Sequence, residues 1–152
     1  MRDLFDAALR NAQDLGDVYL GIMRVFRSLG YDGRSRDLFY IFGVITSYGD
    51  IAQNLAAMMR RTDEIRSLGG RKIFAPTCVF SESLAQKINS RGYRHEDWMA
   101  FWTKVLCSGY VGGVILTPGW ERSRGADMEY AIARNLGLVV YRYDDTNLLL
   151  MD

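Results

Sequence analysis

The sequence predicts a three-layer α/β domain with a parallel sheet of four to five strands, preceded by a helical hairpin. Two observations carry this. Short, continuous apolar runs (Leu38–Ile45, Lys72–Pro76, Tyr110–Leu116, Leu138–Arg142) read as strands buried on both faces, because a half-solvated strand would alternate polar and apolar residues. These runs are separated by longer segments with helical periodicity, and strand–helix alternation implies crossovers and a parallel sheet. At 152 residues the chain has the length of one domain and can bury a core without staples.

Residues 2–14 carry Leu4, Phe5, Ala8, Leu9 and Ala12 on one helical face. After a break at Leu15-Gly16-Asp17, Asp17 is the expected cap of a second helix reaching Leu29, with Gly30 ending it. That helix is apolar on most sides, so it must be covered by the domain or by another copy. Residues 1–37 form this extension, and residues 38–152 form the α/β domain. Within the domain, Asp50 followed by Gln53 resembles a capping box opening a helix with Ile51, Leu55, Met58, Ile65 and Leu68, stopped by Gly69-Gly70. Further helices are expected over 82–90, 95–107 and 125–135, the last ended by Gly137. In a parallel sheet, ligands sit beyond the carboxyl ends of the strands. Thr46–Asp50, Ala75–Val79 and Thr117–Arg124 occupy that edge.

Composition excludes several classes. A net charge of +1 offers no global basic field for nucleic acid, although 16 of the 19 basic residues are arginine, the side chain suited to phosphate. Two cysteines and one histidine neither build a disulfide framework nor make a histidine-based zinc site, and no metal or organic cofactor is expected. Cys78 and Cys107 are expected as buried thiols. The amino terminus lacks a signal-peptide pattern and no apolar run reaches membrane-spanning length, so a cytoplasmic location is expected. His95, in Arg94-His95-Glu96-Asp97, reads as a surface or capping residue at a helix start. Trp98, Phe101 and Trp102 read as core at helical spacing, or as rings that could stack a base.

The segment that carries chemistry is Thr117-Pro-Gly-Trp-Glu-Arg-Ser-Arg-Gly-Ala-Asp-Met-Glu129. A strand ends in Pro118-Gly119, and a helix opens near Gly125. The free amides of a helix start attract anions. Ser123 adds a hydroxyl, Arg122 and Arg124 add charge, and Gly125 admits close approach to the backbone. Glu129 stands a turn further on. An ionised carboxylate beside a phosphate-sized anion site suits attack, or charge stabilisation, at a sugar carbon. The same residues also fit a plain helix, with Ser123 as its cap and Glu129 solvated. Trp120 lies in the loop at the ligand edge, and no G-x-G-x-x-G or P-loop motif is present.

Leu116-Thr-Pro-Gly-Trp-Glu-Arg-Ser-Arg-Gly-Ala-Asp-Met-Glu129, with Ala131, Ala133 and Gly137, resembles the signature of nucleoside 2-deoxyribosyltransferase-like proteins, in particular a small subgroup with the motif L-P-G-W-E-x-S-x-G-A-x-x-E. Tyr40-Ile-Phe-Gly-Val-Ile-Thr46 is similar to that family's first strand and loop. Asn54 and Asp97-Trp98-Met99 fall where similar residues occur. The resemblance runs from about Tyr40 to Tyr143. It implies a flavodoxin-like, Rossmann-like sheet and chemistry at an N-glycosidic bond, with Glu129 attacking C1 of the deoxyribose before water or a second base takes the sugar. Related deoxynucleoside 5′-monophosphate N-hydrolases carry a serine six residues before that glutamate, the spacing of Ser123, which implies a phosphorylated substrate. The site expected on this basis is Glu129 with Gly43, Thr46, Gly119, Trp120, Ser123, Arg124 and Gly125. The resemblance also implies a homodimer or larger homo-oligomer.

Three positions depart from the pattern. Val44 stands where the family has proline, and Gly112 or Tyr110 where it has an aspartate opening the third strand. The aspartate that handles the leaving base falls on Lys104 or Trp102, depending on the alignment, leaving Asp97 as the nearest candidate acid or base. Tyr40 reads as core, and the resemblance implies the alternative of a tyrosine reaching the sugar, as in some relatives. The alternative function is a nucleotide-binding protein with little or no turnover, such as a sensor or regulatory subunit.

Overall fold

A computed structural model describes residues 1–30, 37–43 and 50–152. Helices α1 (Arg2–Leu9) and α2 (Leu15–Ser28) precede strand β1 (Leu38–Phe42), helix α3 (Ile51–Ser67) and strand β2 (Lys72–Phe74). Three helices follow: α4 (Pro76–Val79), α5 (Glu82–Asn89) and α6 (His95–Leu106). Strand β3 (Gly113–Leu116), a 3-10 turn at Trp120–Arg122, helix α7 (Arg124–Asn135) and strands β4 (Val139–Tyr143) and β5 (Leu148–Leu150) complete the chain. The sheet order is β2-β1-β3-β4-β5, the flavodoxin-like arrangement. With right-handed crossovers, α3 covers one face while α6 and α7 cover the other, giving three layers.

β1 to β4 are parallel as expected, but β5 runs antiparallel to β4. Its origin is local. Asp144 Oδ1 accepts the amides of Thr146 and Asn147 at 2.9 and 2.7 Å, and Asp145 takes φ 69°, so the chain reverses at once. A reversal this tight can only return antiparallel, because a parallel return needs a long crossover. The second strand stops at Phe74, short of the expected Pro76. Proline has no N–H to give to a ladder, and Pro76 instead opens α4 at its first turn.

The hairpin starts differently from the expectation. α1 ends at Leu9, and α2 begins at Leu15 with Asp14, not Asp17, as its cap. Asp14 Oδ1 accepts the Asp17 amide at 2.8 Å, while Asp17 Oδ2 accepts the Gln13 amide at 2.8 Å. Asp17 thus supports the cap from inside the first turn. The Asp50 cap is as expected, accepting the Gln53 amide at 2.9 Å.

Most of the apolar surface of α2 is consumed inside the domain, with Leu20 left exposed. Val18, Ile22 and Phe26 are fully buried, and Phe26 packs edge-on against Phe74 of β2 with ring centres 5.1 Å apart. Polar ties reinforce the docking: the Leu15 amide donates to the Tyr93 hydroxyl, Lys87 Nζ to the Ala12 carbonyl, and Arg27 Nε to the Tyr110 hydroxyl. The first helical pair is therefore part of the core that the sheet shares.

Candidate functional site

β1 begins the site. Tyr40 sits in register with Phe74 of β2 and Val114 of β3, on the sheet face that α6 and α7 cover. Its ring stacks on Trp102 of α6, 5.0 Å between centres and 25° between planes. Both rings are buried. Packing therefore fixes where the Tyr40 hydroxyl points, and it donates to Glu129 Oε1 at 3.0 Å.

Glu129 is 6% exposed, unlike the solvated helix residue that a plain reading allows. Burial disfavours its charged form and pushes its pKa up to about 8, and the Tyr40 hydrogen bond pulls in the opposite direction. The Tyr40 hydroxyl is held well above its ordinary value by burial first, then by the Glu129 charge and the hydrogen bond. Near neutral pH the Glu129 carboxyl is therefore held in its protonated form.

The loop before α7 is built by its own sequence. The Trp120 amide donates to the Thr117 carbonyl at 3.1 Å, and Gly119 takes φ 83° and ψ 7°. Those angles are those of the third residue of a type II turn, which explains Pro118-Gly119. Ser123 is buried and caps α7, its Oγ accepting the Ala126 amide at 3.3 Å. Capping uses a lone pair and leaves the Ser123 O–H able to donate. The Asp127 amide is taken by the Ser123 carbonyl. The amides of Arg124 and Gly125 are the remaining donors of the first turn, where the helix dipole also favours an anion. Arg124 is exposed. A methyl at Gly125 would meet only ordinary contacts, Met99 Sδ at 3.5 Å and Ser123 Oγ at 3.8 Å, so the protein's own packing does not require glycine there.

Gly43 does have a packing reason. A side chain at Gly43 would collide with Thr117 Oγ1, and Thr117 closes the β1–β3 edge by donating its amide to the Phe42 carbonyl at 3.1 Å. Thr46 lies outside the described residues. Asp97 accepts the Arg94 amide at 2.8 Å and so serves the start of α6. Lys104 turns away to the hairpin, with Nζ 4.2 Å from the Tyr19 ring centre. Trp102 backs the Tyr40–Glu129 pair.

Trp98, Phe101 and Trp102 form an aromatic cluster with Phe80. Cys78 is buried but Cys107, expected buried, is exposed just past the end of α6. Exposed His95 is the first residue of α6. Among the described residues no three His, Cys, Asp or Glu side chains cluster as metal ligands, and no helix is long and apolar enough to cross a membrane. Sequence reasoning missed Tyr130, whose ring lies 5.0 Å from that of Trp120, and it did not pair Tyr40 with Glu129. A tyrosine in an otherwise apolar strand is the one signal that could have raised the second.

No curated protein and no solved structure matches the chain. A family model described as a domain of unknown function (DUF4406) matches residues 38–142, most of the α/β part. The chain belongs to that family.

Proposed function

We propose that this protein cleaves or transfers at the N-glycosidic bond of a deoxynucleoside or its 5′-monophosphate, with Glu129 as the nucleophile. The observation that supports this most is the buried Glu129 carboxyl, held by the Tyr40 hydroxyl on the helix whose capped start carries Ser123. Once ionised, a buried carboxylate is poorly solvated and reactive, and the Tyr40 donor fixes the oxygen it engages. In the proposed step Glu129 forms a bond to C1 of the sugar, and the bond to the base breaks with its electron pair leaving on the base. Water or a second base then attacks C1 and releases Glu129. Ser123, the Arg124 and Gly125 amides and the Arg124 side chain would hold a 5′-phosphate.

The test is incubation with each deoxynucleoside and each 5′-monophosphate, with chromatography for free base. Base release that is lost in Glu129→Ala supports the proposal, and release unchanged in that variant sinks it.

A second reading, nucleotide binding without turnover, is favoured by the state of α6. Trp102 is committed to the Tyr40 stack, Lys104 to Tyr19 and Asp97 to Arg94, so none is a spare acid for the leaving base. Losing such a group lowers rates by roughly 10²–10⁴-fold. Stabilisation by a nucleotide in a thermal melt, with no base released on long incubation, would decide for binding alone.

A further inference from the structure

The chain leaves β1 through α3 toward β2, and leaves the neighbouring β3 through α7 toward β4, the opposite way along the sheet. Right-handed crossovers put these two helices on opposite faces. Beyond the carboxyl ends of β1 and β3 the two connections therefore part, and the crevice between them is where parallel sheets hold ligands. One side of it is the start of α7, with Ser123. The other is the start of α3.

α3 carries Ile51, Leu55, Met58, Thr62 and Ile65 at spacings of four and three residues, which is one helical face. Met58, Thr62 and Ile65 are buried, but Ile51 is 51% exposed and Leu55 37%. The change falls where the sheet ends. Met58 Cε lies 3.5 Å from where a side chain at Gly43 would begin, and Gly43 is the residue after β1. With a rise of about 1.5 Å per residue, Leu55 stands about 5 Å and Ile51 about 10 Å further along the helix, beyond the carboxyl end of β1. The face that covers the sheet lower down is thus turned, above it, toward the crevice.

We propose that Ile51 and Leu55 form an apolar wall of the ligand crevice and take the face of the nucleobase. This rests on the nucleotide reading above and adds where the base lies. Displacement at C1 needs the nucleophile and the leaving group on opposite sides of that carbon. Glu129 approaches from the α7 side, so the base leaves toward α3. Apolar side chains hold a base by the area they cover and not by its edges, so truncating them weakens the binding of all four bases.

Ile51→Ala with Leu55→Ala tests it in a Glu129→Gln parent, which keeps an acceptor for Tyr40 and, on the nucleotide reading, consumes no ligand. Both positions are exposed and alanine suits a helix, so the ligand-free melting temperature should stay within a few degrees of the parent's. Calorimetry compares the four deoxynucleoside 5′-monophosphates with 2-deoxyribose 5-phosphate, which has no base, and light scattering gives the mass of each protein. A further variant, Ile51→Leu with Leu55→Met, keeps the apolar surface. The expected result is about tenfold weaker binding of every monophosphate in the alanine variant, unchanged binding of 2-deoxyribose 5-phosphate, parent-like affinity in the Leu/Met variant and one mass throughout. Equal monophosphate affinity in the parent and the alanine variant overturns the wall and leaves the nucleotide reading intact. A loss shared equally by 2-deoxyribose 5-phosphate overturns the base as its occupant. A lower mass in the alanine variant assigns the stripe to a second copy and overturns the proposal, as does a melting temperature far below the parent's, which would place the pair inside the fold. If the parent binds none of the nucleotides, the nucleotide reading fails, and this wall with it.

Discussion

The Tyr40 hydroxyl donates to Glu129 Oε1 across 3.0 Å, joining the middle of the first strand to the last helix of the crossover that follows β3. The two residues are 89 positions apart in sequence, and both are buried. The bond stabilises the ionised carboxylate, while burial opposes it more strongly and brings the pKa to about 8.

Removing that hydroxyl with Tyr40→Phe should move the ionisation of Glu129 further up. A hydrogen bond to a charged group contributes about 1.5–3 kcal/mol, equivalent to roughly one to two pH units. If Glu129 is the nucleophile, base release in wild type rises with pH through about 8, and the rise in Y40F comes at higher pH. Identical pH–rate profiles for the two proteins would exclude the hydroxyl as a determinant of Glu129 ionisation.

The same shift makes a stability prediction. Glu129 is raised above its ordinary 4.5, so the folded protein holds a proton that the unfolded chain has lost. The neutral carboxyl's advantage is complete below about 4.5 and is lost as pH climbs to about 8. Within that window each pH unit costs about 1.4 kcal/mol of folding stability from this group. Glu129→Gln should therefore flatten the fall in denaturant midpoint between pH 5 and 8 and be the more stable protein at the upper end. Parallel curves for the two proteins would contradict the buried, protonated state.

The capping of α7 by Ser123 and its proposed hold on a phosphate can be separated by substitution. Ser123→Ala removes the cap and should cost about 1 kcal/mol by denaturant unfolding. Ser123→Asp caps as well as serine and suits the helix dipole, so it should fold at least as stably. Its charge would repel a phosphate, and monophosphate binding should be lost while nucleoside binding survives. Retention of monophosphate affinity in the Asp variant would move the phosphate away from α7.

Gly43→Ala should cost about 1–3 kcal/mol, the usual range for overpacking, because the new methyl meets Thr117 Oγ1. Adding Thr117→Ala should recover part of the loss, a coupling expected of groups in contact. Additive losses in the double variant would mean that Gly43 is needed for some other reason.

Local and pattern information carried far in this chain. The apolar runs at residues 38–42 and 113–116 are strands buried on both faces, a requirement legible in composition alone, whereas β4, expected to be the same, alternates, with Val140 and Tyr143 buried and Arg142 exposed. The Asp50 cap, the Pro118-Gly119 turn and the Ser123 cap follow from short-range chemistry between residues two or three apart. Short-range signals also misled. Asp17 and Asp14 are both capping residues by type, and only the hydrogen-bond geometry shows which one closes the helix. The antiparallel β5 was missed because three leucines after an Asp-Asp turn carry no directional signature.

Sequence by itself determined the layers and the largely parallel sheet, and it singled out the segment from Thr117 to Glu129 as a candidate site, because periodicity and turn chemistry act between near neighbours. Only the tertiary structure decided what Glu129 is. Its burial, its raised pKa and its bond to Tyr40 come from β1, α6 and α7 meeting on one sheet face, and the Trp102 ring that aligns Tyr40 comes from a helix 62 residues downstream of it. Desolvation and hydrogen-bond direction are sums over spatial neighbours, and no local reading of the chain contains those neighbours.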